Sequence, residues 1–172
     1  SGSQLTADRI YVGDSGTGYL NVLNGGTVAT SKVFFGYTSA GDGHGTVSGA
    51  GSTLSSGEIN VGWNDVGTLT VSDGGAVRST GTMTVGNANG SVGSLTVTSA
   101  GTVTVGGGTG ILQDAQLAGS TGAVNIGAAV GDAAASAGTL NVGSVSFGAG
   151  AGSLVFNHTD SNYRFGVAVT GS

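Results

Sequence analysis

Ile59-Asn60-Val61-Gly62 leads into Gly67-Thr68-Leu69-Thr70-Val71-Ser72-Asp73-Gly74-Gly75-Ala76-Val77. Met83-Thr84-Val85-Gly86 then leads into Ser94-Leu95-Thr96-Val97-Thr98-Ser99-Ala100-Gly101-Thr102-Val103. The same unit is written twice, and a repeated unit governs the reading of everything around it. Within it the apolar residues alternate: Ile59 and Val61 flank Asn60, and Leu69 and Val71 flank Thr70. Period two is the signature of a strand with one buried face. Each unit carries two such strands, and a third is centred on Val28, Leu54, Val77 and Val103. Turns rich in Gly, Ser, Asn and Asp, where positive φ is cheap, separate them.

Copies of the unit extend both ways. Ile10-Tyr11-Val12-Gly13 leads to Tyr19-Leu20-Asn21-Val22, and Val33-Phe34-Phe35-Gly36 to a shortened Gly45-Thr46-Val47. Downstream come Val103-Thr104-Val105-Gly106, Val124-Asn125-Ile126-Gly127 with Thr139-Leu140-Asn141-Val142, and Val145-Ser146-Phe147-Gly148 with Ser153-Leu154-Val155-Phe156. The glycine closing the apolar pair falls at 13, 36, 62, 86, 106, 127 and 148, so the spacing is 20 to 26 residues. Repeats built on helix pairs need longer periods.

Such short strands bury a face by coiling, each lying parallel to its counterpart one turn later. The expected fold is therefore all-β: a parallel β-helix, or solenoid, of about seven rungs and ~34 Å in length. Its inward columns would be Ile10/Val33/Ile59/Met83 and Leu20/Leu69/Leu95/Leu140, with the repeated glycine at a corner. An antiparallel sandwich also uses many short strands, but hairpins want strands matched in pairs and this pattern runs in threes. The reading is one segment over 1–172, regular over 4–105 and divergent over 106–172. In the divergent part, 107–123 reads as an irregular rung or a short helical bulge, and 157–164 as a polar loop.

Composition agrees. The 172 residues include 37 Gly, no Pro and no Cys, with 38% hydrophobic and only 8% charged residues. Glycine without a three-residue period excludes collagen, and low charge with positive mean hydropathy argues against disorder. Without cysteine there is no disulfide or thiolate metal site. Net charge is −5, and the basic residues Arg9, Lys32, Arg78 and Arg164 are scattered. Neither nucleic acid nor an anionic membrane surface is an expected partner. No apolar run reaches the ~18 residues of a membrane helix. No signal peptide is recognisable, so the protein is expected to be either intracellular or a piece of a longer chain; Ser1-Gly2-Ser3 reads as an added leader and, with the mid-pattern stop at Gly171-Ser172, favours a piece.

The unit resembles the glycine-rich repeat in passenger domains of autotransporters, the type V secreted proteins of Gram-negative bacteria. Ile59-Asn60-Val61-Gly62, Gly67 to Gly75 and Ser48-Gly49-Ala50-Gly51-Ser52-Thr53-Leu54 carry the likeness, together with the tail from Gly152 to Ser172. The resemblance implies a right-handed β-helix exported to the bacterial cell surface, with a C-terminal membrane barrel in the same polypeptide. It implies adhesion or self-association, as in cell–cell aggregation and biofilm growth. The partner would be a host surface or matrix ligand, or a like chain on a neighbouring cell. A passive stalk presenting a module elsewhere in the chain is the alternative. No catalytic residue and no cofactor carries over.

Residue by residue, little chemistry converges. Gly13-Asp14-Ser15-Gly16 spells a trypsin-like nucleophile motif, but too few residues precede it to hold the upstream His and Asp. Gly41-Asp42-Gly43-His44-Gly45 and Gly148-Ala149-Gly150-Ala151-Gly152 look like phosphate loops without a following helix, and read as turns. His44 and His158 lie too far apart for one site and read as solvated loop residues. Asp14, Asp42, Asp65 and Asp132 follow the repeated glycine and would line one edge, solubilising it. No enzyme and no metal site is expected. The candidate ligand or self-association surface is aromatic and hydroxylic. Tyr11 and Phe34 form one expected outward pair and Tyr37 and Trp63 another, and Thr68, Thr70, Ser94 and Thr96 form a polar array beside the Leu column.

Overall fold

The computed structural model describes residues 2–171, so Ser1 and Ser172 lie outside the described residues. Strands β1 (Gln4–Val12), β2 (Thr17–Leu23), β3 (Thr27–Phe35), β4 (Asp42–Ser48), β5 (Thr53–Val61) and β6 (Val66–Ser72) open the chain. Strands β7 (Ala76–Ser79), β8 (Met83–Val85), β9 (Val92–Val97), β10 (Thr102–Val105) and β11 (Ile111–Asp114) follow. The last are β12 (Thr121–Gly127), β13 (Thr139–Asn141), β14 (Ser144–Phe147), β15 (Ala151–Asn157) and β16 (Ala168–Gly171). Every strand-to-strand ladder is parallel, each strand pairing with its counterpart one turn away. This is the expected parallel β-solenoid.

Two sheets enclose the core. Sheet B has six strands, β2-β4-β6-β9-β12-β15, and sheet A has ten. In sheet A the long strands β1, β3 and β5 span both halves; β7, β10 and β13 continue the first half, and β8, β11, β14 and β16 the second. The coil therefore makes about six turns. Seven were expected because an apolar pair closed by Gly occurs on more than one face. Val105-Gly106 ends a strand in the first half of sheet A, and Ile126-Gly127 ends one in sheet B; neither is the corner after the second half. The corner positions are Gly13, Gly36, Gly62, Gly86, Ala115 and Gly148, and the last two turns lengthen to 29 and 33 residues.

The inward columns follow from this register. Ile10/Val33/Ile59/Met83 stack as expected and continue through Leu112 and Val145. Leu20, Leu69 and Leu95 share a column with Val124 and Leu154; Leu140 instead joins Val28, Leu54, Val77 and Val103 across the core. Leu54, Leu69, Leu95 and Ile59 are wholly buried, each stabilising the fold by about 1.5–3 kcal/mol through burial. In the Leu column one turn carries Gly45. The Phe35 ring from sheet A fills that gap, so that a Cβ on Gly45 would meet the ring at 2.6 Å.

A column of hydroxyls makes the bend between the halves of sheet A. Thr30, Ser56 and Ser79 are in register, and each donates to a backbone carbonyl just ahead: Lys32 at 3.0 Å, Glu58 at 2.7 Å and Thr82 at 2.8 Å. The next residue in that column is Val105, which has no hydroxyl, and there the chain leaves the sheet through a 3-10 turn over Gly106–Gly108. The segment 107–123 is thus an irregular rung containing β11, not a helical bulge.

The two ends differ. At the N-terminal end the outer edges of β1 and β2 have no partner among the described residues, and a cavity of about 290 Å³ lies between Leu5, Leu20, Val22, Leu23 and Val28. At the C-terminal end the loop after β15, read as merely polar, turns back over the core. Phe165 packs edge-on against Phe156 at 5.0 Å, the Tyr163 hydroxyl donates to Gly138 O at 3.4 Å, and Asp160 accepts the Ala137 N–H at 2.6 Å.

Candidate functional site

Sheet B turns a flat outer face to solvent. Its outward columns are Tyr19/His44/Thr68/Ser94/Ala123/Ser153 and Asn21/Thr46/Thr70/Thr96/Asn125/Val155. Thr68, Thr70, Ser94 and Thr96 therefore stand as one array, each half-buried between its neighbours. Asn125 donates to Ser94 Oγ at 3.2 Å and Thr96 Oγ1 at 3.3 Å, and is itself buried. Asp42, at the edge of the face, is the one acid in these strands. The ionic residues of the sheet strands otherwise lie in sheet A: Asp8, Arg9, Lys32, Glu58, Arg78 and Asp114. There Lys32 Nζ meets Glu58 at 2.7 Å. Burial pushes the Glu58 carboxyl up, but hydrogen bonds from Lys32 and Asn60 outweigh it and hold the group below its ordinary value.

His44 is a strand residue, not a solvated loop residue. Its Nδ1 lies 2.8 Å from Thr68 Oγ1, its ring stacks on Tyr19 at 5.1 Å, and Nε2 lies 2.9 Å from Asp42 Oδ1, outside hydrogen-bonding alignment. A hydroxyl, an imidazole and a carboxylate thus converge, which reading His44 as a loop residue had missed. The signal was present: Asp42-Gly43-His44-Gly45-Thr46-Val47 aligns without a gap on Val66-Gly67-Thr68-Leu69-Thr70-Val71. Acyl transfer also requires donors aimed at a developing oxyanion. Here Thr68 and its neighbours sit inside a ladder paired on both sides, on an open face.

The four candidate aromatic residues form one cluster rather than two pairs. Tyr11 stacks on Phe34 at 5.4 Å, Tyr37 touches Tyr11 at 4.4 Å and Phe34 at 5.1 Å, and Trp63 meets Phe34 edge-on at 5.3 Å. The corner at Gly36 brings the strand pair and the turn pair together. Phe34 is buried at the centre, Tyr37 and Trp63 are half-buried, and Tyr11 is 41% exposed. The cluster is a small apolar core outside the coil, offering mainly Tyr11 to a ligand.

His158 is also half-buried, packed on Tyr163 at 4.8 Å. Burial, then the nearby Asp160 charge, pushes the Tyr163 phenol up. Among the described residues no group of three His, Cys, Asp or Glu side chains could hold a metal ion, and no helix is long and apolar enough to cross a membrane.

One ionisable group escaped the sequence reading. Asp114 occupies an inward position, between Val85 and Phe147 in register, and is fully buried. Burial pushes its carboxyl up to about 7, against the lowering effect of the Ser153 and Ala115 N–H groups.

No family model matches the chain. An uncharacterized lipoprotein of Escherichia coli (strain K12), YdeK, is 33% identical over 173 residues, covering 98% of this chain and 11% of that protein. The chain thus spans about a tenth (11%) of the length of the curated relative it matches. No solved structure matches it.

Proposed function

We propose that the chain is a segment of an autotransporter-type passenger displayed on the bacterial cell surface, and that it acts in adhesion or self-association through the outer face of sheet B. The observation that carries this reading is the flat hydroxyl and amide array centred on Thr68, Thr70, Ser94 and Thr96, which has almost no ionic groups. The lipoprotein designation of the relative supports a cell-envelope location.

Six strands spaced at ~4.8 Å, each about 20 Å long, give a face of roughly 500 Å². Two such faces together bury about 1,000 Å², the lower bound of a specific interface. Single contacts would be weak, and arrays of rods on apposed cells would bind by avidity. A matrix ligand on the same face is a variant of this reading.

A stalk role is the second reading, favoured by one observation. The polar groups of the face already satisfy one another, as in His44–Thr68, Ser48–Ser72 and Asn125–Thr96. The test is bead aggregation by the immobilised chain beside sedimentation over a concentration series, repeated with Thr70→Lys/Thr96→Lys. Clumping that the double variant abolishes supports the adhesive face. Inert beads and a strict monomer overturn self-association, and a matrix-protein and glycan screen then separates a foreign ligand from a stalk.

A further inference from the structure

Asp114 interrupts a column that is otherwise apolar: Val12, Phe35, Val61 and Val85 precede it and Phe147 follows. Oδ2 accepts the Ser153 N–H at 3.0 Å, whereas Oδ1 is buried without a partner. The space for the carboxyl comes from two glycines of sheet B. A Cβ on Gly122 would overlap Oδ1, and one on Gly152 would lie 3.0 Å from Oδ2. The groups packed against it are Val85 of β8, Phe147 of β14, Gly122 of β12, and Gly152 and Ser153 of β15, and none of them titrates or carries charge.

An anion in such surroundings is costly, because the Ser153 N–H, with a lesser contribution from that of Ala115, replaces only part of its hydration. The acid form is tolerated. The Val85 carbonyl stands beside the same Gly122. It accepts the Ala115 N–H at 2.8 Å and keeps a second lone pair.

We propose that Asp114 is a proton-operated latch joining the last turns of sheets A and B. With its proton in place, β11, β12 and β15 close around the carboxyl. When the proton leaves to solvent, the carboxylate draws in water and the seam between β11 and β15 loosens. The early turns keep their packing, because Val61 and Val85 hold the same place there. The latch rests on the core and is independent of what sheet B binds.

The experiment is a ¹³C NMR titration of the Asp114 carboxyl, with amide hydrogen exchange at pH 6 and pH 8.5 corrected for intrinsic rates. The expected result is that Asp114 ionises last among the aspartates. Amides of β11 and β15 should also lose at least tenfold in protection relative to β4 and β6, and Asp114→Asn should abolish that difference. Ionisation in the range of the exposed aspartates, or an unchanged difference in the Asn variant, overturns the proposal. If the variant does not fold, the titration of the unaltered chain decides alone.

Discussion

Five successive corners of the coil redirect the chain from sheet A to sheet B in two ways. Gly13, Gly36, Gly62 and Gly86 do it with glycine in the left-handed region, at φ between 69 and 74. In the fifth turn Ala115 adopts φ 51 instead, a conformation strained for a residue with a Cβ. The same contrast holds at the other two devices. Hydroxyls make the sheet A bend in the early turns and a 3-10 excursion replaces it after Val105; apolar side chains (three valines and Phe35) line the corner column early, and Asp114 stands there later. Yet the parallel register runs unbroken from β2 to β15. The ladder between turns thus holds the coil, and the corner chemistry sets how stable each turn is.

The sharpest way to break this contrast lies at a second glycine column, Gly18, Gly43, Gly67, Gly93, Gly122 and Gly152, where sheet B passes under the corner. A Cβ on Gly67 would overlap Gly62 N and meet Phe35 O at 2.6 Å. Gly67→Val is expected to cost about 4 kcal/mol or more, because backbone must move, and to leave the chain unfolded or aggregated by circular dichroism. Ala115→Gly should do the opposite, raising the denaturant midpoint by relieving about 1 kcal/mol of strain.

Comparable in size to the Gly67→Val effect is the pH response. The Asp114 carboxyl ionises at about 7 in the fold and near 3.8 when exposed. The stability it contributes is complete below pH 3.8 and is lost progressively up to about pH 7. The loss is on the order of 4 kcal/mol at 1.36 kcal/mol per unit. Urea midpoints of the wild type against Asp114→Asn should diverge across that window and run parallel above it. Midpoints that run parallel throughout would show that the column accepts the charge.

The smallest effect belongs to the surface. Lys32 and Glu58 are 42% and 24% exposed in their side chains, so a double-mutant cycle with Lys32→Ala and Glu58→Ala should return under about 1 kcal/mol, falling further in high salt. A larger coupling would mean that the outer face of sheet A, and not only the core and corners, separates stable turns from weak ones.

Where the sequence was transparent, it was so for a physical reason. Period-two burial and a left-handed corner each leave a residue-level mark, and Ile10/Val33/Ile59/Met83 was legible from those marks alone. Beyond Val105 the same marks misled. Val-Thr-Val-Gly and Val-Asn-Ile-Gly satisfy the strand-then-glycine pattern on any face of the coil, and only pairing tells the faces apart. The candidate surface was legible in part. Thr68, Thr70, Ser94 and Thr96 do share a face, but Phe34 proved buried, because the merging of two aromatic pairs depends on the angle at Gly36. Asp114 was hidden because it is conspicuous only once Leu112 is placed over Met83.

The orientation of the ladders has a mechanical meaning. Backbone bonds between turns run along the axis of the coil, so a load pulling its two ends apart acts on them in line. Turns then yield one at a time, each releasing a loop such as the 24 residues from Gly62 to Gly86, or about 80 Å of extended chain. A coil of this kind behaves under tension as a series of shock absorbers, lengthening in steps while the turns not yet reached keep their shape.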